Sequence, residues 1–280
     1  MKITCILLLI LFICRKDIVI ESVLNGLNIW TYTLFPLLYP SFILNDLILS
    51  TKIPSVVVKY FGNLYNKLFL NNKNGVYVFF VSLLCGTPSN VKVMRELKLT
   101  DSEINKCLIS SFFFNPLLII SLGGFKLFII IFVGNILNGL IFRNVKVNIS
   151  NNKLTNKPFS LNKSISNNLN VLFNILGTVV IFSVLINILP INDIDIKFLI
   201  SSILELTNTL DYIKRFYDSN IYLFVINFCF GGLSIFTQIK SILSDTFINY
   251  KLYFISRLSF TCICVVICWI TNICSTLTFT

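Results

Sequence analysis

Tyr77 to Met94 reads YVFFVSLLCGTPSNVKVM, and Tyr222 to Ile239 reads YLFVINFCFGGLSIFTQI. In each, an apolar arm (Val76 to Cys85, Ile221 to Phe230) is broken at glycine and resumes with polar residues. An arm of about 10 residues rises about 15 Å as a helix, half of a hydrocarbon core about 30 Å thick, so both breaks are expected near a membrane midplane. Gly86-Thr87-Pro88 stops a helix because proline lacks an N–H and glycine is permissive; Gly231-Gly232 does so through backbone freedom alone. Tyr77, Phe79, Gly86 and Ser89 recur as Tyr222, Phe224, Gly231 and Ser234, each displaced by 145 residues, and Ile109-Ser110 returns near that offset as Ile255-Ser256. The expected fold class is an all-α polytopic membrane protein of about eight transmembrane segments in two repeat halves, each with a Gly-broken helix, spanning or re-entrant.

The composition agrees. Of 280 residues, 55% are hydrophobic and 12% charged, and mean hydropathy is +0.83, whereas a soluble domain carries about 25% charged residues. Too little polar surface remains to coat a globule in water. Runs that reach or approach the roughly 20 residues of a spanning helix are Val23 to Leu49, Ile104 to Leu122, Gly123 to Phe142, Leu169 to Leu189 and Leu252 to Ile270.

The net charge of +11 is scattered between these runs and builds no basic face, which argues for a lipid bilayer and against nucleic acid as the partner. Arg143, Lys146, Lys153, Lys157 and Lys163 crowd an Asn-rich connection that the positive-inside rule makes cytoplasmic. The chain divides into an N-terminal membrane helix (1–22), a first half (23–142), the basic connection (143–168) and a second half (169–280). The opening apolar run fits a signal-peptide core as well as a short span, and is read as an uncleaved first helix.

Absent residues exclude much chemistry. With His 0, histidine-based hydrolysis and His-containing zinc sites are ruled out. The nine cysteines show no CxxC spacing. No glycine-rich phosphate loop of the GxxxxGK[ST] type occurs. The expectation is a protein that is not an enzyme, with no cofactor and no metal.

Irregular backbone at midplane depth is tolerated where it lines a cavity, and paired broken helices are the best sequence pointer to a transporter's binding site. The second half-helix aims free N–H groups and a positive dipole end inward, which favours an anion. Gly86, Thr87, Pro88, Ser89, Asn90, Gly231, Gly232 and Ser234 are the expected backbone frame, with Gln238 offering a side-chain hydrogen bond. Lys92 and Arg95 are expected to attract carboxylates, since a cation at helix centre costs about 2.5–3.5 kcal/mol. The plainer reading makes Pro88 an ordinary loop, with Lys92, Arg95 and Lys98 simply cytoplasmic.

Polar faces interrupt the apolar helices. Ser201, Ser202, Glu205, Asn208 and Thr209 fall on one stripe if the helix is continuous, and Glu205 is its only ionisable member, a candidate for proton or cation coupling. An interfacial amphipathic helix leading to Asp211, Lys214 and Arg215 is the alternative. Asn170, Asn174, Gly177 and Thr178 fit helix packing. Pro36 and Pro40 predict a kink in the first long span, with Trp30 and Tyr32 as interface anchors.

GLNIWTYTLFPLLYPSF (Gly26 to Phe42), GTPSNVK (Gly86 to Lys92), the run from Thr100 through Asn115-Pro116, LELTNTL (Leu204 to Leu210) and FGGLSIFTQI (Phe230 to Ile239) occur in this order. Together they resemble the YlbJ (SpoVV) family of sporulation integral membrane proteins, among the nucleoside-recognition gate-domain proteins. The resemblance implies a carrier in the mother-cell-derived membrane around the forespore, moving dipicolinic acid, a small anionic solute, into the developing spore, with Asn115 added to the site. Asn90 stands where that family usually has a second glycine, and Phe236 where it often has histidine. A structural or assembly protein of the spore envelope and a nucleoside-type carrier are the rival expectations.

Overall fold

The computed structural model describes residues 10–150 and 158–277, which are all-helical, with no strand among them. The start of the expected N-terminal helix, and Lys153 and Lys157, lie outside the described residues. Five helical stretches are long and apolar enough to cross a membrane: Lys16–Leu49, Pro116–Ile141, Leu161–Ile188, Ile221–Ile242 and Tyr250–Ile273.

The first comprises α1 (Lys16–Ile29) and α2 (Phe35–Leu49), joined by a single wide turn at Trp30–Leu34. There the Phe35 amide reaches back to Trp30 O, one residue further than an α-helix does. The distortion sits just before Pro36, whose missing N–H and bulky ring disfavour a regular ladder. The predicted kink is therefore a bulge upstream of the prolines.

Amphipathic α3 (Ile53–Phe69) follows, then α4 (Gly75–Cys85), α5 (Ser89–Glu96), α6 (Asp101–Ser110) and α7 (Pro116–Ile141). The second part holds α8 (Leu161–Ile188), α9 (Ile194–Leu204), α10 (Leu206–Phe216), α11 (Ile221–Phe230), α12 (Gly232–Ile242) and α13 (Tyr250–Leu277). Because α8 begins at Leu161, the polar connection is shorter than expected, and Ser164 and Asn168 are buried helix residues.

Side-chain bonds fix the direction of each element. α8 runs antiparallel to α1–α2: Arg15 donates to Ile188 O at 3.2 Å, Trp30 Nε1 to Leu172 O at 3.0 Å, and Ser164 Oγ to Asp46 Oδ2 at 2.6 Å. At the end of the bundle where the basic connection leaves, Lys106 Nζ donates to Leu70 O at 3.1 Å and Val145 O at 2.9 Å, and Asn105 Nδ2 to Phe247 O at 2.8 Å. This is the connection end. At the far end Asn272 Nδ2 donates to Tyr222 Oη at 2.9 Å, so α13 returns beside α11.

The run Ile104 to Leu122 is not one continuous helix. α6 starts on a full capping box, Thr100 with Glu103, and stops at Ser110; Ser111–Asn115 is non-helical before Pro116, whose ring disfavours helix at the preceding residue. α7 then doubles back. A straight helix from Pro116 to Asn138 would run roughly 33 Å, whereas the seven residues from Ile109 to Pro116 reach at most about 25 Å. Yet Asn138 Nδ2 donates to Ile109 O at 3.4 Å. The reversal is at Gly124, with φ 68 and ψ −173.

Two hairpins complete the bundle. Tyr77 Oη donates to Asn45 Oδ1 at 3.3 Å, and Lys92 pairs with Asp46, so one residue of α4 and one of α5 lie level with two successive residues of α2. α4 and α5 therefore enter from the connection end and return to it. α9 and α10 do the same from the far end: Thr209 Oγ1 donates to Ser201 Oγ at 2.9 Å, and the Phe198 and Tyr217 rings are 4.7 Å apart. The stripe expected on one continuous helix is thus folded on itself at Glu205, whose backbone is extended (φ −147, ψ 121).

Candidate functional site

Each hairpin tip crosses an interrupted helix. Gly86 (φ +76) lies so close to the α6–α7 break that a Cβ there would sit 2.3 Å from Asn115 N and 2.5 Å from Phe114 C. Glycine is required both by that approach and by the left-handed φ. The crossing is pinned by Thr87 N donating to Phe113 O at 2.6 Å, Ser82 Oγ to Ser111 O at 2.6 Å, and Asn90 Nδ2 to the same Ser111 carbonyl. In the second crossing a Cβ on Gly232 (φ +74) would lie 3.4 Å from Leu204 O.

Between the crossings is a cavity of about 40 Å³. Thr87, Pro88 and Asn115 line it from the first crossing; Glu205, Thr207 and Gln238 line it from the second. Leu34 and Leu38 from the first long stretch, and Ile175 and Val179 from α8, close its apolar side. Pockets for drug-sized ligands measure roughly 300–1,000 Å³, so the cavity as it stands has room for water-sized molecules only.

A vestibule of about 730 Å³ opens at the far end among Asn25, Asn28, Asn187, Lys197 and Arg215. It shares Leu118 and Thr207 with the cavity, which makes those two side chains the wall between them. Towards the connection end lies a knot of paired side chains. Lys92 Nζ pairs with Asp46 Oδ1 and donates to Asn168 Oδ1 at 2.6 Å, while Asn168 Nδ2 donates to Asp46 Oδ2 at 2.9 Å. This knot lies about 10 Å along α8 from Ile175, two turns from the cavity. Beyond it is a second, open pocket of about 390 Å³ that includes Asp46, Glu96 and Lys163.

The structure corrects the predicted roles of the cations. Lys92 is neutralised within the knot, and Arg95 is exposed at the connection end, 2.9 Å from Asp245. Neither lines the cavity. Part of the expected crown of free amides is filled: Thr87 N is bonded to Phe113 O, Asn90 N to Gly86 O and Gly231 N to Asn227 O. Thr87, Pro88, Asn115, Glu205 and Gln238 do meet around one space. Gly86, Gly231 and Gly232 make the crossings, and Ser89, Asn90 and Ser234 lie buried beneath them.

Glu205 is fully buried. Its Oε2 accepts from Thr207 Oγ1 at 2.6 Å and from Asn208 N at 2.7 Å, so the carboxylate caps α10, occupying the end where an anion would be favoured. Its Oε1 has no hydrogen-bond partner. Asn208 Nδ2 ties the tip to Ser183 on α8 at 2.8 Å, and Gln238 Nε2 reaches Thr178 Oγ1 at 3.1 Å.

Sequence reading missed Asp46, Asn168, Thr207 and Arg257. Asp46 and Arg257 did carry a signal: each is a lone charge within an apolar run, and such charges have partners by default. Compared with models of protein families, with curated proteins and with solved structures, the chain matches none.

Proposed function

We propose that the chain is a membrane carrier for a small organic solute, bound where two re-entrant tips meet two interrupted spans. In this reading the hairpins α4–α5 and α9–α10 enter the bilayer from opposite faces. Six crossings accompany them, counting the interrupted run from Asp101 to Gly123 and the return from Phe125 separately, which gives eight membrane segments. The observation that carries the proposal is the convergence on one cavity of three chain breaks and of α12, which follows the fourth.

Helix lengths support two inverted halves, in a register other than 145. α4 and α9 have 11 residues each and begin 119 apart; α6 and α11 have 10 each and begin 120 apart. Hairpin corresponds to hairpin and broken span to broken span, whereas the 145-residue offset aligns the hairpin tip at Gly86 with the broken span at Gly231. Like-with-like repeats of opposite orientation suit alternating access around a fixed midplane site. The basic connection puts its end of the bundle in the cytoplasm, so the vestibule faces away from it.

The solute is a small molecule with polar groups: Thr87, Asn115, Thr207 and Gln238 offer hydrogen bonds in a cavity also lined by Pro88, Phe114 and Ile175. The YlbJ resemblance points to dipicolinate during endospore formation. A nucleoside-type solute is the second reading, favoured by a cavity lined with hydrogen-bonding groups and no cation. Reconstitution into liposomes with radiolabelled dipicolinate or uridine tests both. Saturable dipicolinate uptake is expected; uptake of uridine alone transfers the proposal to the second reading. Folded protein that moves neither solute ends the carrier reading and leaves an envelope-assembly role. A deletion strain of a sporulating host should make spores low in dipicolinate.

A further inference from the structure

We propose that Glu205, Ser234 and the free carbonyls ending α9 bind one monovalent cation, and that its arrival neutralises Glu205 so that a carboxylate-bearing solute can occupy the adjoining cavity. The second half of this statement rests on the carrier reading; the cation site rests on its own geometry.

α9 stops abruptly because Glu205 is extended. The Glu205 amide bonds to Ser201 O at 2.8 Å, and the carbonyls after Ser201 are left at the negative end of a helix. Gly232 keeps the space beside them narrow but open: its missing Cβ would stand 3.4 Å from Leu204 O and 3.5 Å from Ile203 O. Near this corner are two buried oxygens, Glu205 Oε1 and Ser234 Oγ on the first turn of α12, which lie beside one another and have no other partner.

The donor set is carboxylate, hydroxyl and carbonyl, all hard oxygen. Such donors suit sodium or a proton and not a soft transition metal. Half-helix C-terminal ends and unwound carbonyls serve coupling cations in the same way in discontinuous transporter helices. The protein brings no cation of its own to the spot. Among the described residues that line the cavity, neither the first long stretch, the α4–α5 tip, the start of α7, α8 nor α12 contributes a charged side chain. On α10 itself, Asp211 and Arg215 pair with each other in the vestibule at 2.9 Å, and Lys92 is held by Asp46. A fully buried carboxylate whose donors are all neutral is costly to keep charged, and a cation beside it offsets that cost.

Sodium and the proton share this chemistry, and purified protein in detergent, without any solute, separates them. Thermal unfolding is followed in sodium chloride against choline chloride, and in choline buffer with acidification. The melting temperature is expected to rise in one arm, and that arm names the cation. Ser234→Ala removes a sodium response, because it deletes a ligand, and spares a proton response. Glu205→Gln abolishes both while melting no lower than the cation-free wild type; should it fail to fold, Glu205→Asp must shift the cation concentration needed for half the effect. Indifference of the wild type to both cations, or a response kept by Glu205→Gln, overturns the site. A cation response without uptake in liposomes ends the carrier reading and leaves the site standing. Uptake with no cation response does the reverse.

Discussion

The two hairpin tips do similar geometric work with opposite chemistry. The first, Gly86–Asn90, carries no charge and is lashed to Ser111–Asn115 through Thr87 N and Asn90 Nδ2, while Thr87 Oγ1, Ser89 Oγ and Asn90 Oδ1 are buried without a partner. The second turns on a single extended residue, and that residue is a carboxylate with a free oxygen. In the proposed reading the first tip is the anchor and the second the receptor. Sequence symmetry between glycines hid the contrast, because the glycine at position 231 belongs to a span and the second tip has none.

The largest effect that tests this contrast is steric. Gly86→Ala places a methyl within 2.3 Å of a backbone nitrogen, where no rotamer change gives relief, and is expected to cost more than about 4 kcal/mol. Gly232→Ala meets only ordinary contact at 3.4 Å in a left-handed conformation, a cost of about 1–2 kcal/mol. Thermal unfolding of the two variants in detergent gives the comparison. Equal losses would mean that the first tip is no tighter than the second.

The broken spans differ too. α6 ends against Arg257 of α13, which is fully buried, donates Nη2 to Leu108 O at 3.2 Å and Ile109 O at 3.4 Å, and lies 4.1 Å over the Phe112 ring. A cation at a helix C-terminus and over an aromatic face is doubly favoured. α11 ends instead on Gly231 in the left-handed conformation. Arg257→Met therefore should destabilise by about 2–4 kcal/mol through the carbonyls it leaves buried. Arg257→Lys should recover only part, since an ammonium lacks the planar guanidinium that lies over the Phe112 ring. Full recovery in the lysine variant would show that charge alone is needed.

The knot below the first tip gives a smaller effect with a sharper signature. Asp46→Asn leaves Lys92 with Asn168 and with Glu96 at 3.7 Å, and is expected to cost about 2 kcal/mol. The double variant Asp46→Leu with Lys92→Met should be less destabilised than either single change, because it removes both charges together. It should also expose a cysteine placed at Ser164 to thiol reagent from the connection end. Labelling no faster than in the pseudo-wild type would show that the knot does not seal that side.

Much of this arrangement was legible in the chain. The two apolar runs meeting at Gly123 match the reversal at Gly124, and the GTP sequence gives the first tip outright. The second tip was written as a helix, because an alternation of Ser, Glu, Asn and Thr at helical spacing looks the same whether the helix continues or folds back at Glu205. Nothing local distinguishes them; the decision comes from Gly232 packing on the carbonyls of α9. The fate of Lys92 was illegible for the same reason. Its partners, Asp46 and Asn168, are far away in sequence and are joined only when α2 and α8 pack together.

The mildest change concerns Gln238, which belongs to the receptor side but holds no charge. Its Nε2 is tied to Thr178 on α8, and its side chain also borders the cavity. Gln238→Ala removes one neutral hydrogen bond, worth about 1 kcal/mol to the fold, and one polar contact to a solute. If the cavity is where the solute rests, the half-saturating concentration for uptake should rise about tenfold while the maximal rate changes little. A scaffolding role through Thr178 alone would move stability and leave that concentration where it was. Comparison with Thr87→Ala, on the anchor side, then asks whether both tips touch the solute. Equal shifts place it between them, and a shift confined to Gln238 places it against the second tip, beside the carboxylate.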